Sequence, residues 1–171
     1  MKRSTQPALM PCLRARPGDA AEQEARTWRR TSLAVASEEA QIVYADTSGL
    51  YALLDAGDGR HTEAATSVRS LMSAGALLVT TSYVVTELTA LVRNRLGLDV
   101  AARLHRGLLP ALEVVFVDRE LHARAVAAWT VARRRGLSLV DCAGFELMRG
   151  LGVVTALAFD RHFEEQGFAL P

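Results

Sequence analysis

Four carboxylates occupy positions where charge is hard to explain by solvation alone: Asp46, Glu87, Asp141 and Asp160. Asp46 directly follows the apolar run Ile42–Ala45, Asp160 follows the run Val153–Ala158, and Asp141 opens a helical stretch three residues after Ser138. An acid at a helix start caps backbone N–H groups, and Ser138 with Asp141 has capping-box spacing, so each of these has a structural use taken singly. Capping and ligand binding are compatible. Glu87 borders the helical stripe Val84, Leu88, Leu91 and Val92 and is expected to be only partly solvated. If the four converge, two carboxylates about 4 Å apart repel by roughly 4 kcal/mol at an effective dielectric near 20, so the cluster must hold protons or cations.

Hard divalent cations with oxygen ligands are the natural counterions, and Mg²⁺ or Mn²⁺ is expected, since no histidine and cysteine cluster suits zinc. Such a metal activates water and stabilises a leaving oxygen, which is phosphodiester hydrolysis without a covalent enzyme intermediate. The only lysine is Lys2, which removes mechanisms built on a catalytic lysine. A formal net charge of +1 supplies no global basic field, so any nucleic-acid contact must be local. Two cysteines, Cys12 and Cys142, make neither a disulfide framework nor a zinc site, and a reducing cytoplasm is the expected location. No apolar run approaches the roughly 20 residues that span a bilayer, so no membrane is expected.

The elements that position these acids are legible from Ile42 onward. Short apolar runs at Ile42–Ala45, Ala76–Val79, Val114–Val117, Val153–Ala158 and Phe168–Leu170 read as buried parallel strands. Helical stretches alternate with them at Ser48–Ala56, Arg60–Ala74, Tyr83–Leu96, Val100–Leu109, Glu120–Arg135, Asp141–Gly150 and Arg161–Gln166. This alternation predicts an α/β sandwich, with ligands bound beyond the carboxyl ends of the strands, where three of the acids fall. With 171 residues, half of them hydrophobic, the chain can bury one sizeable core. Residues 1–41 differ: they hold three of the five prolines and no strand-like run. They read as an N-terminal extension, a disordered tail or the product of an upstream start, with helix expected only over Asp19–Arg30. The domain proper is residues 42–171.

Four stretches then carry a family resemblance: Ile42-Val-Tyr-Ala-Asp-Thr-Ser-Gly-Leu50, Thr80-Thr-Ser-Tyr-Val-Val-Thr-Glu-Leu88, Leu137-Ser-Leu-Val-Asp-Cys142 and Ala158-Phe-Asp-Arg-His-Phe163. In order and spacing they resemble the acidic motifs of PIN domains, especially the VapC-type toxins of toxin–antitoxin pairs. The resemblance covers Ile42 to Pro171 and none of the first 41 residues. It implies a PIN-like three-layer sandwich with a parallel five-stranded sheet, Mg²⁺ or Mn²⁺ dependence, endonucleolytic cleavage of RNA, a homodimer and an inhibitory antitoxin protein. It also implies that Asp46, Glu87, Asp141 and Asp160 are the catalytic and metal-binding quartet, with Thr47 or Ser48 as supporting hydroxyls. Gly144 stands where relatives often carry a small hydroxyl residue, and Ala158 where a threonine is common; neither change removes a carboxylate.

His162, two residues after Asp160, is a candidate for contact with substrate phosphate, against the plainer reading of a solvated surface histidine. His61, His105 and His122 have no partner at recognisable spacing and read as surface or boundary residues. Arg133, Arg134 and Arg135 close a helix before Gly136 and could track an RNA backbone or simply suit the helix dipole. Arg93, Arg95, Arg103 and Arg106 form a weaker candidate surface. Asp55 to Gly59 lacks the alternating acids of a calcium loop and reads as a turn. The principal reading is therefore a metal-dependent endoribonuclease toxin; the alternative is a non-catalytic PIN scaffold that binds RNA or a protein partner. A phosphoryl-accepting receiver, which would share an acidic pocket, is disfavoured by the missing late lysine. Because every strand and acid of this reading lies beyond residue 41, deleting residues 1–40 is expected to leave a folded, active domain. Cooperative thermal unfolding of the shortened protein checks this; its loss would mean the boundary is misplaced.

Overall fold

The computed structural model describes residues 40–133 and 136–170. The extension, with its expected helix at Asp19–Arg30, and the pair Arg134 and Arg135 lie outside the described residues. The first apolar run is strand β1 (Ile42–Ala45), followed by helices α1 (Thr47–Leu54) and α2 (His61–Ser73). Strand β2 (Leu77–Thr81) leads into α3 (Ser82–Leu96) and α4 (Leu98–Arg103), and β3 (Glu113–Val115) into α5 (Arg119–Ala132). Helix α6 (Leu139–Leu151), strand β4 (Thr155–Leu157) and the short α7 (His162–Glu165) complete the order.

The strands form one parallel sheet in the order β3-β2-β1-β4, with Tyr44 paired to Val79 on one side and to Ala156 on the other. Central β1 is covered by helices, which is why its residues Val43, Tyr44 and Ala45 are all fully buried. Helices α1 and α2 pack together, α1 also against α3, while α5 pairs with α6. All four carboxyl ends point to one rim, and the loops after them begin helices.

Several expected boundaries move, each for a local reason. The fifth strand reduces to a bridge: Ala156 N–H donates to Ala169 C=O at 2.9 Å and Ala169 N–H to Val154 C=O at 2.8 Å, and nothing extends the ladder. The next residue but one is Pro171, which has no N–H to offer. Among the described residues the sheet thus has four strands instead of five. The helix expected over Val100–Leu109 is α4 followed by a π-helical turn at Leu104–Leu108 and a 3-10 turn at Leu109–Ala111, where Gly107 and Pro110 interrupt regular winding. Helix α5 ends at Ala132, after which Arg133 turns left-handed (φ 45°); the rest of the expected stretch, Arg134 and Arg135, lies outside the described residues. Trp129 ties α5 to the segment that follows by donating its indole N–H to Leu137 C=O at 3.0 Å. Asp55 to Gly59 is a turn as expected, with Gly57 N–H donating to Asp55 Oδ1 at 2.9 Å.

One glycine decides how closely α1 approaches the end of β4. A Cβ at Gly49 would lie 2.3 Å from the carbonyl oxygen of Leu157 and 2.9 Å from its carbon, and backbone cannot rotate out of the way. The same carbonyl accepts the Asp46 N–H at 3.1 Å, so the close approach also seats the first acid. Gly49→Ala is therefore expected to cost about 3 kcal/mol of stability through overpacking, read as a lower urea midpoint, whereas Gly150→Ala, with open space around it, leaves the midpoint nearly unchanged.

Candidate active site at the carboxyl ends of the strands

A cleft of about 390 Å³ opens on the rim, lined by Asp46, Thr47, Ser48, Glu87, Leu91, Gly136, Ser138, Asp141 and Asp160. All four acids singled out in the sequence meet there, with both hydroxyl residues that follow Asp46. Among the described residues, no basic side chain lines the cleft.

Asp46 sits just past β1 as the N-cap of α1, buried with 4% of its surface exposed. Its Oδ2 accepts the Ser48 N–H at 3.0 Å and the Ser48 hydroxyl at 2.6 Å. The same Ser48 Oγ accepts the Phe159 N–H at 3.0 Å, linking the end of β1 to the residue before Asp160. Asp160 is half-buried, its Oδ1 accepting the His162 N–H at 2.9 Å. Asp141 takes part in a complete capping box on α6: Ser138 N–H donates to its Oδ2 at 2.7 Å while its own N–H donates to Ser138 Oγ at 3.0 Å. Helix α6 starts at Leu139, so Asp141 is its third residue and not its first. Glu87 projects from the middle of α3, and its Oε2 accepts the Thr47 hydroxyl at 2.5 Å. Contrary to expectation, the residue as a whole is exposed, at the edge of the α3 stripe that buries Val84 and Leu88.

Burial is the largest influence on Asp46 and pushes its carboxyl up to about 6 from an ordinary 3.8; the charge of Asp141 adds to this, while the hydrogen bonds from Ser48 and Thr47 oppose it. Tyr44 reports the same field from below. Its phenol is pushed upward by burial first and then by the charge of Asp46, with Asp141 and Glu87 adding to it against a small opposing contribution from Thr81. It therefore stays protonated. Its hydroxyl is buried and unpartnered, the Thr81 hydroxyl beside it standing outside hydrogen-bond geometry. Sequence reasoning missed Tyr44, which reads as one apolar residue of β1. The same hydroxyl explains Gly144: a Cβ there would lie 2.6 Å from the Tyr44 oxygen, so the phenol occupies the space that a small hydroxyl side chain would need. Ala158, the other departure, is buried.

His162 is not a solvated surface residue; it is buried, with Nδ1 2.9 Å from Asp160 Oδ1. That pair is too far out of line for a hydrogen bond, leaving Nδ1 buried without one. The ring also packs toward Gly136 of the cleft wall. The other histidines do find partners across the fold: His61 Nδ1 lies 2.8 Å from Ala52 C=O, His105 Nε2 2.9 Å from the Thr89 hydroxyl, and His122 Nδ1 2.7 Å from the Tyr83 hydroxyl. Arg133 is exposed one short loop before Gly136; Arg93, Arg95, Arg103 and Arg106 are exposed elsewhere, and Arg93 lines a separate groove with His105. Cys142 is buried, as its reading as a small apolar residue requires.

The donor set suits a hard divalent cation: four carboxylates and three hydroxyl residues, all oxygen, with no opposing base among the described residues. Among the described residues, no three acidic, histidine or cysteine side chains stand close enough as placed to share one ion, each acid instead giving an oxygen to a neighbouring hydroxyl or N–H. Uncompensated charge is what a cation would relieve here.

Comparison with known proteins agrees with this architecture. The model of the PIN domain family matches residues 43–169. The chain is 35% identical over 130 residues to the 23S rRNA-specific endonuclease VapC20 of Mycobacterium tuberculosis, from strains CDC 1551 / Oshkosh and ATCC 25618 / H37Rv. That match covers 74% of this chain and 95% of the relative. The crystal structure of Mycobacterium tuberculosis VapC20, described as a Sarcin-Ricin loop cleaving toxin, superposes with a TM-score of 0.67 at 31% identity, covering 74% of this chain and 96% of that one.

The raised Asp46 gives a pH dependence whose sign follows from linkage. A carboxyl that ionises at about 6 when folded and near 3.8 when unfolded favours the folded state fully below pH 3.8, and that contribution disappears as pH rises to 6 and beyond. At about 1.4 kcal/mol per pH unit the loss is on the order of 3 kcal/mol. In chelating buffer, Asp46→Asn is expected to raise the unfolding temperature relative to the parent at pH 7.5 and to show a much smaller gain at pH 4; an equal gain at both would contradict the burial argument.

Proposed function

Because the chain belongs to the PIN domain family, we propose that it is a metal-dependent endoribonuclease, the toxin of a type II toxin–antitoxin pair, hydrolysing RNA phosphodiester bonds in the acidic cleft with water as nucleophile. One observation carries this reading: a rim cleft gathering four acids and, among the described residues, no base, which repels phosphate until a cation enters. When bound, Mg²⁺ or Mn²⁺ supplies Lewis acidity toward the phosphoryl oxygen and makes a water easier to deprotonate.

The chain's own residues divide the remaining work. Asp46 and Asp160 are held in fixed relation by Ser48, which bonds both segments. Asp141 is fixed from the third side by the capping box, its Oδ2 engaged with Ser138. Glu87, exposed and tied by one hydroxyl, is the carboxylate with freedom to turn toward a cation or water. Fixing three donors and leaving one adjustable places the ordering cost in the fold, ahead of substrate binding. His162, beside Asp160 and against Gly136, orders the Asp160 loop from behind.

The RNA target named for the relatives, the sarcin–ricin loop of 23S rRNA, is the first substrate to test, since the likeness extends over the whole PIN region. An unregulated RNA-cutting site would harm its cell, so a small antitoxin is expected. An arginine offered by it into four carboxylates would make a bidentate, charge-assisted pair and compete with the metal. A homodimer and action in the cytoplasm complete the reading; no helix among the described residues is long and apolar enough to cross a membrane.

Cleavage of a sarcin–ricin stem–loop oligoribonucleotide should vanish with chelator and return with Mg²⁺ or Mn²⁺. Asp141→Asn nearly preserves shape and capping while removing charge, and should lower kcat at least a hundredfold, the scale of losing one electrostatic anchor in a transition state. Expression of the chain alone should arrest growth, and Asp141→Asn or co-expression of the neighbouring gene's product should relieve it. Undiminished cleavage by purified Asp141→Asn would sink the assignment; an inactive but RNA-binding parent would favour the scaffold alternative.

A further inference from the structure

Most described aromatic side chains are accounted for by the core. Tyr44, Phe145, Phe163 and Phe168 pack on one another in a chain of ring contacts, with centroids 4.9 to 6.3 Å apart. Phe159 lies beneath the Arg60 guanidinium. Two stand exposed: Trp129, at 47%, is tied down by its indole N–H on Leu137 C=O, whereas Phe116, at 65%, is the more exposed of the two.

Its position is specific. Phe116 directly follows β3, and in a parallel sheet the carboxyl end of β3 lies on the same rim as the ends of β1, β2 and β4, from which the acids rise. The link that carries it is held on both sides. Val117 N–H donates to the Ser82 hydroxyl at 3.0 Å, and Asp118 caps α5 through its Oδ1 and the Leu121 N–H at 2.9 Å. Ser82 is the first residue of α3, so the first of these bonds sets Phe116 beside the start of that helix. The next residue, Tyr83, bonds His122 through its hydroxyl at 2.7 Å and meets its ring edge-on, with centroids 6.1 Å apart. Tyr83 is one helical turn before Glu87, and Glu87 one turn before Leu91; both of the latter line the cleft. Residues four apart share a helix face, so the aromatic group continues the α3 wall of the cleft toward the β3 edge. Arg119, exposed at the first position of α5, puts a cation on the same rim.

An exposed ring on the rim that carries the acidic cleft suits one ligand class. Unpaired RNA bases splay from the backbone and stack on aromatic side chains, and such stacking tolerates sequence because every base presents a π-face. We propose that Phe116, carried on the link bonded to the start of α3, is a stacking subsite for an unpaired base of the RNA strand whose phosphate occupies the acidic cleft. The subsite rests on the nuclease reading for its occupant, though not for its geometry. It lets a chain with no global positive charge hold RNA by apolar contact instead of by phosphate neutralisation.

The test uses the full chain with Ca²⁺ in place of Mg²⁺, a cation that offsets the charge of the cleft while slowing cleavage, and a sarcin–ricin stem–loop oligoribonucleotide carrying 2-aminopurine at one loop position at a time. Binding of the parent should quench fluorescence at one position more than at the others. Phe116→Ala, which touches only exposed surface, should abolish that position's quenching and weaken affinity about tenfold, the scale of one lost base stack. Phe116→Trp should retain both. Unchanged affinity and quenching in Phe116→Ala would overturn the subsite, as would failure of the parent to bind the probe. Unchanged RNA affinity accompanied by an altered sedimentation coefficient would also overturn it and assign the face to contact between protein chains. Binding and Phe116-dependent quenching by a parent that leaves the RNA uncut in Mg²⁺ would overturn the nuclease reading and leave the subsite standing.

Discussion

The arrangement at the rim depends on one hydroxyl. Ser48 donates to the buried Asp46 carboxylate and accepts from the Phe159 backbone, so a single side chain ties the end of β1 to the segment that carries Asp160. The Asp46 N–H, bonded to Leu157 C=O, makes a second tie between the same strands. A hydrogen bond to a charged group contributes more than a neutral one, and here it also partly offsets the burial that drives Asp46 toward protonation. Gly49 is the steric condition for this arrangement, since any side chain there would push α1 away from Leu157.

Around that tie, the fold assembles negative charge that it does nothing to neutralise. Asp46, Asp141 and Asp160 are fixed by protein donors, and no arginine lines the cleft among the described residues. Elsewhere the chain does pair its charges, as in Arg60 with Glu63 and Arg124 with Glu120, both exposed and worth little to stability. The contrast is informative. Stability is given up at the rim cleft, where the proposed cation and phosphate would meet, which is the usual trade between a functional site and a stable fold.

Tyr44 and Gly144 show how such a site tolerates variation beneath its surface. A phenol reaching up from β1 occupies the volume that a side chain on the glycine one turn after Asp141 would need. The phenol hydroxyl is on the strand side of that contact. It is left buried without a partner under three carboxylates, a costly placement in an apolar interior. Deep-seated polar atoms of this kind cluster at functional sites.

By itself the sequence determined the parallel α/β class, the limits of most elements and the identity of the four acids, because each of those follows from local physics: continuous apolar runs, helical periodicity, and acids at helix starts beyond strand ends. The Asp141 capping box and the Asp55 to Gly59 turn were readable for the same reason, with every partner within a few residues. What lay beyond reach was set by contacts between distant segments. The bridge in place of a fifth strand depended on how the segment around Ala169 meets β4. The exposure of Glu87 and the burial of His162 depended on which helix faces meet neighbours, and the Thr47–Glu87 and Ser48–Phe159 bonds join residues 40 and 111 positions apart. Tyr44 beneath the acids, Gly144 against it, and Phe116 stranded on the rim beside Tyr83 were decided only by tertiary structure, because periodicity says which side of an element a residue takes and nothing about what waits there.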